Sequence, residues 1–242
     1  MTSRLAQLLA GLAAYGLSDA LLVRAGLGLD PWTALHQGLA RQSGLSIGVV
    51  TNLVGVAVLL LWLPLRRRPG LGTVLNVALI GPFLDLALRE LPHAHGLVAR
   101  GALLVAGVLL NAVATAAYVG AGLGTGPRDG LSLGLAERGL PLWRVRTAVE
   151  VTVLVTGVLL GGTAGIGTVA YAVAIGPLVH RLLPLLARAP QTGGAKPPAP
   201  GGEGAGGAGA GSGGRTGDAG TAVLPARRAS SRRRRSASTA AR

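Results

Sequence analysis

Cysteine is absent from the 242 residues, which excludes a disulfide framework, a thiolate metal site and a cysteine nucleophile. Aromatic residues are scarce, at 3%. A soluble core wants more large side chains, whereas closely packed membrane helices favour the glycine and alanine that dominate here. Catalytic constellations are missing too. There is no nucleophile–base pair, no phosphate-cradling loop with a lysine, and no acidic cluster for a divalent ion. Gly26-Leu27-Gly28 is not a dinucleotide fingerprint, because it follows an apolar helix rather than a strand and lacks the third glycine. His93 and His95 have no third metal ligand nearby in the sequence. The expectation is a protein that is not an enzyme, with no cofactor and no metal.

What is present is hydrophobic sequence in blocks. The apolar share of 50% is that of an ordinary soluble domain and decides little; its distribution decides more. From Leu5 to Ala187 the apolar residues fall into runs of roughly 18–22, and about 20 helical residues cross a hydrocarbon core. Six spanning candidates follow: Leu5–Ala25, Ser46–Leu63, Leu71–Leu88, Val98–Val119, Leu142–Leu160 and Ile166–Ala187. Pro82 and Pro177 lie inside the third and sixth and predict kinks. Arg4 before the first run resembles a secretory signal. Ser18-Asp19 interrupts that run and no cleavage site follows, so the helix is read as retained. The lipid bilayer is the first expected partner.

The chain also repeats itself. Ala25-Gly26-Leu27-Gly28 recurs as Ala121-Gly122-Leu123-Gly124, an offset of 96. The match continues through Pro31/Pro127, Leu35/Leu131, Gly38/Gly134, Leu39/Leu135 and Ala40/Ala136. At an offset of 95, Gly70-Leu71-Gly72-Thr73-Val74 matches Gly165-Ile166-Gly167-Thr168-Val169, and Ile80-Gly81-Pro82 matches Ile175-Gly176-Pro177. Two motif blocks in the same order argue against chance similarity. The expected fold is therefore all-α, with about six transmembrane helices as two inverted three-helix repeats, each with a short connector half-helix. Repeat 1 covers about residues 4–92 and repeat 2 about 98–187, within a transmembrane domain over 1–189.

Three spans per repeat is an odd number, so the second repeat must enter from the opposite side. With both termini cytoplasmic, inside segments hold Arg4, Arg66, Arg67, Arg68, Arg128, Arg138, Arg144 and Arg146, against Arg24, Arg41, Arg89 and Arg100 outside. That satisfies the positive-inside bias. The net charge of +14 is split: residues 190–242 contribute half of it over far fewer positions. This Gly/Ala/Pro/Ser-rich tail cannot bury a core and is expected to be disordered and cytoplasmic. Its Arg232–Arg235 run suits contact with anionic lipid, at about 1 kcal/mol per basic residue. No nucleic acid is favoured as a partner.

The first connector of each repeat is the most informative segment. Gly26-Leu27-Gly28-Leu29-Asp30-Pro31-Trp32-Thr33 offers turn glycines, a capping Asp and a proline at the first helical position. A helix of about three turns follows, to Gln42, too short to span. Gly124-Thr125-Gly126-Pro127-Arg128-Asp129-Gly130 opens its counterpart. Half-helices at corresponding positions of inverted repeats point to a transporter-like site, where N-terminal amides can face an anion. The plainer alternative is an interfacial helix that closes a turn.

The candidate path residues are Asp30, Trp32, Asn76, Arg128, Asp129, Arg146 and Glu150, because polar groups at bilayer depth need partners or water. Each has a structural reading beside it. Arg146 and Glu150 are four apart and suit a mutual pair. Asn52, Asn76 and Asn111 suit helix–helix hydrogen bonds. Asp19 and Asp85 lie near helix ends, where snorkelling suffices. Gly81-Pro82 and Gly176-Pro177 suit kinks and close packing.

Val23-Arg24-Ala25-Gly26-Leu27-Gly28-Leu29-Asp30-Pro31-Trp32, with Gly44-Leu45-Ser46-Ile47-Gly48, resembles bacterial membrane proteins of the YczE/YitT type. So do Gly122 through Gly130, Arg144-Val145-Arg146 with Glu150, and Gly161 through Thr168 with Ile175-Gly176-Pro177. The likeness covers about residues 4–187 and omits the tail. It implies a multi-pass protein of the bacterial cytoplasmic membrane, without an agreed activity or substrate. Two functions compete: a permease or exporter of a small molecule, and a non-transporting scaffold or regulatory partner.

Overall fold

A computed structural model describes residues 1–188. The expected domain limit at 189 and the tail 190–242 lie outside the described residues. Among these, eight helices and no strands occur: α1 (Thr2–Ala25), α2 (Pro31–Ser43), α3 (Ile47–Trp62), α4 (Leu71–Glu90), α5 (Leu97–Gly120), α6 (Pro127–Ala136), α7 (Leu142–Leu159) and α8 (Ile166–Leu186). The order long, short, medium, long occurs twice. Each expected span matches a helix to within a few residues, and both connectors form the short helices expected of them.

Four helices, α1, α4, α5 and α8, are long and apolar enough to cross a membrane; α2 and α3, bent by 113° at their junction, make a fifth if counted as one broken span. The chain is thus a multi-pass membrane protein by its helices. The other medium helices fall short for visible reasons. With 16 residues, α3 rises about 24 Å at 1.5 Å per residue. Helix α7 carries Arg144, Arg146 and Glu150 within its 18 residues.

Local chemistry sets the short helices. Asp30 caps α2, Pro31 takes its first position, and Gly44 ends it with φ of 73°. Pro127 opens α6 behind Gly126, which offers no side-chain cap. The centre is α1 against α5: Leu8, Leu12, Tyr15, Ile80, Ala114, Tyr118 and Ala121 form one buried cluster. The Tyr15 and Tyr118 rings meet edge-to-face, centroids 5.9 Å apart, a favoured aromatic geometry.

The two connectors are clamped crosswise. Gly167 N donates to Leu27 O at 2.8 Å, and Gly72 N donates to Leu123 O, also at 2.8 Å. So the start of α8 holds the first connector, and the start of α4 holds the second. Only glycine fits where these segments touch. Gly28 (φ 122°) and Gly124 (φ 139°) adopt left-handed backbone, and an added Cβ would lie 2.6 Å from Gly165 N and 2.9 Å from Thr73 Oγ1 respectively.

Helices α3 and α4 are fastened along their length. Pro82 has no N–H to donate, which frees the Ala78 carbonyl one turn back. Asn52 supplies the missing donor: its Nδ2 donates to Ala78 O at 3.2 Å, and its Oδ1 accepts from Gly81 N at 3.1 Å. In a membrane, where water cannot satisfy a stranded carbonyl, such a replacement matters. Asp85 accepts from Ser46 Oγ at 2.5 Å and from Gly48 N at 2.8 Å. Asp85 therefore caps the N-terminus of α3, which corrects the snorkelling expectation; the orphan amides of a helix start attract a carboxylate. By contrast α7 rests on α2 and α6, α8 rests on α5, and α7 and α8 stand apart.

Candidate functional site

The half-helices meet at their N-termini. Asp30 Oδ1 accepts from Trp32 N at 3.2 Å and Thr33 N at 3.3 Å, so it fills the amide cradle of α2. The same oxygen takes Arg128 Nη1 from the start of α6, also at 3.3 Å. Arg128 Cζ lies 5.5 Å from the Trp32 ring centre and 5.7 Å from that of Tyr15, within cation–π range. The pair is mostly withdrawn from the surface, with side chains 25% (Arg128) and 3% (Asp30) exposed. A buried ion pair is costly to make and costlier to break, because the partner is left as a lone charge.

A cavity of about 20 Å³ adjoins this cluster, lined by Trp32, His36, Thr51, Asn76, Pro127 and Arg128 among others. That is room for about one water. Its walls come from both halves of the chain. A larger recess of about 440 Å³ opens to the surface between the ends of α2 and α4, beside Gln37, Arg41, Ser46, Asp85 and Arg89.

Below the cluster, α1, α5 and α8 share a polar network. Asn111 Nδ2 donates to Ser18 Oγ at 2.9 Å and to Asp19 Oδ1 at 3.2 Å, while Tyr171 OH donates to Asn111 Oδ1 at 2.9 Å. Asn111 thus makes helix–helix bonds as expected. Asp19 does not snorkel: it is buried and hydrogen-bonded, because its position on α1 faces α5 rather than an interface. Among the described residues the ion pairs are Arg67–Glu137, Arg128–Asp30 and Arg146–Glu150, so Asp19 has no cation within ion-pair distance.

The seven sequence candidates separate into groups. Asp30, Trp32 and Arg128 converge, and Asn76 lines the same cavity. Arg146 and Glu150 pair with each other at 3.1 Å, exposed by 60% and 43%. Asp129 stands in the first turn of α6, within electrostatic reach of Arg146. The structure also places Arg128 on α6 and Arg144 and Arg146 on α7, in helices rather than in connecting loops. Sequence reasoning missed Tyr15, His36 and Thr51. The spacing of α1 gives no reason to prefer Tyr15 over its other inward residues, and its role depends on a partner far away in the chain.

Helices of this length and hydropathy, broken by two short helices whose charged N-termini meet, define a polytopic α-helical membrane protein. The chain belongs to a family of unknown function (DUF6198), whose model matches residues 2–184. An uncharacterized protein of Haemophilus influenzae is 42% identical over 184 residues, covering 76% of this chain and 84% of the relative. The uncharacterized membrane protein YczE of Bacillus subtilis is 34% identical over 173 residues, covering 71% and 80%. The uncharacterized protein YyaS of the same organism is 28% identical over 185 residues, covering 74% and 91%. The resemblance read from the motifs is therefore a family relationship. No solved structure matches the chain.

Proposed function

We propose that this chain is a non-enzymatic permease or exporter for a small molecule in the bacterial cytoplasmic membrane. In this reading it is built from two inverted three-helix halves with both termini cytoplasmic. The observation that carries it is the Arg128–Asp30 pair at 3.3 Å. Two half-helices lying flat on opposite surfaces would keep those side chains apart; here they meet beside a cavity walled by both halves. Broken helices whose ends converge on polar groups suit a solute site at mid-depth. The reciprocal clamps, Gly167 to Leu27 and Gly72 to Leu123, relate matching positions and support the duplication.

Access in this account runs through the second half. Where α7 and α8 stand apart, Arg146 and Glu150 are exposed at a depth where lipid contact is expensive, which argues for a water-filled cleft between these helices. Asp30, Trp32, Arg128 and Asp129 form its inner end, Arg146 and Glu150 its wall, and Asn76 the closed side. Purified protein in liposomes should take up a solute from a chemically broad panel, and Asp30→Asn should abolish that uptake. If no solute in such a panel moves, the permease reading fails.

A second reading, a non-transporting membrane scaffold or regulatory partner, draws on the enclosed cavity, which at about 20 Å³ holds no solute larger than water. It predicts full function in cells for Asp30→Asn protein that still folds.

A further inference from the structure

The polar centre has walls for a cation, and the start of each half-helix already carries a carboxylate. The amides that open α2 are taken by Asp30, and the first turn of α6 carries Asp129. Two buried carboxylates, Asp19 and Asp30, face a centre whose ion pairing comes from Arg128 alone. The two rings that flank Arg128, Trp32 at 5.5 Å and Tyr15 at 5.7 Å, complete a box of one carboxylate and two aromatic faces. Such boxes recognise guanidinium and alkylammonium groups.

We infer that the box of Asp30, Trp32 and Tyr15 is a binding site for a small organic cation, and that Arg128 is its tethered resident. The way Arg128 sits supports this. It makes one hydrogen bond to Asp30, at 3.3 Å, rather than the two-point fork a guanidinium forms with a well-placed carboxylate. It also borders the small cavity walled by both halves, so the guanidinium is not packed on every side. Trp32 and Arg128 hold the same place in the two half-helices, 96 positions apart. One half thus contributes a wall of the box and the other contributes its occupant.

A tethered occupant competes with any free one, so the site's apparent affinity is its intrinsic affinity multiplied by the fraction of time that Arg128 is out. Removing Arg128 empties the box and leaves a buried negative charge that a free cation can neutralise. As a statement about the transported solute this rests on the permease reading. As a statement about binding it rests on the geometry of the box.

The test is thermal unfolding of the purified full-length protein in detergent, with guanidinium chloride or methylguanidinium chloride at low millimolar concentration against matched sodium chloride. Arg128→Ala protein should gain about 3 °C or more from either cation, as for a ligand well above its Kd. Wild-type protein should gain less than a third of that, and Arg128→Ala/Asp30→Asn protein should gain nothing. If Arg128→Ala protein does not fold, Arg128→Gln, which is neutral but fills more of the space, is measured in the same way. No shift in the variant that folds, an equal shift in wild type, or a shift that survives Asp30→Asn overturns the proposal. Tracer uptake of labelled guanidinium into liposomes separates the two readings. A box that fills while nothing crosses overturns the permease reading alone. Uptake of a neutral or anionic solute with a box that never fills overturns the cation site alone.

Discussion

The first and second halves of this chain run through the same order of helices, yet only the first half is closed. In it, α3 and α4 are joined by three devices. Gly48 and Gly81 let the backbones touch, since a Cβ on either would lie within 2.2 Å of the other's carbonyl oxygen. Asn52 repairs the hydrogen bond that Pro82 removes, and Asp85 caps α3 from across the interface. Positions 95 further on hold Trp143, Gly176, Thr147 and His180. The large indole replaces the small contact, the hydroxyl is too short to repeat the amide's two bonds, and imidazole replaces the capping carboxylate. Gly176 accordingly has nothing within 4 Å of where its Cβ would be. Gly55, packed against Val77 on α4, corresponds to Glu150. The separation of α7 and α8 is therefore written into the residues. The two halves share an order of helices, but the second lacks the latch of the first, and α7 and α8 stand apart with Arg146 and Glu150 exposed.

Substitutions at matching positions break or sharpen this contrast. The largest effect is expected from Gly81→Val, which forces α3 and α4 apart. Overpacking costs about 1–3 kcal/mol, so the melting temperature of the purified protein should fall by about 5–10 °C. Gly176→Val, the same change in the open half, should leave it within about 1 °C. Next is Asn52→Ala, which strands the Ala78 carbonyl and costs about 1–3 kcal/mol. Thr147→Ala should cost under about 0.5 kcal/mol, as surface changes do. Chemical denaturation of the two variants side by side measures the difference. Smallest in stability is Arg146→Ala. The pair with Glu150 is about half exposed, and such pairs contribute only about 0–1 kcal/mol. Its expected signature is functional: lost solute uptake in liposomes from protein that unfolds like wild type.

Much of the frame was legible in the chain. The Asp30 cap, Pro31 and Gly44 delimit α2 by local chemistry, and the six apolar blocks fall on helices because a helix's length and hydropathy are local properties. Asp30, Trp32 and Arg128 were legible as candidates because charge and indole are conspicuous at a helix start. What local reasoning does not reach is pairing over distance. Arg128 and Asp30 are 98 residues apart, and Tyr171 and Asn111 are 60 apart; no spacing rule predicts which face meets which. Asp85 and Asp19 illustrate the cost. Each sits where snorkelling is a sufficient local explanation, and each is held by a partner on another helix. The missing latch in α7–α8 was also present in the residues, but Thr147 and Trp143 carry meaning only once Asn52 and Gly48 are seen to fasten α3 to α4.

The most direct test of the account uses the absence of cysteine, which leaves a clean background for single replacements. Val77 packs against Gly55 in the closed half, and Ala172 holds the matching position on α8 and is exposed. Each is changed to Cys and exposed, in right-side-out and inverted membrane vesicles, to a membrane-impermeant thiol reagent. The account predicts that Ala172→Cys protein is modified from one side of the membrane while Val77→Cys protein is spared. Equal protection of both would mean that lipid or protein, rather than water, fills the space between α7 and α8, and would contradict it.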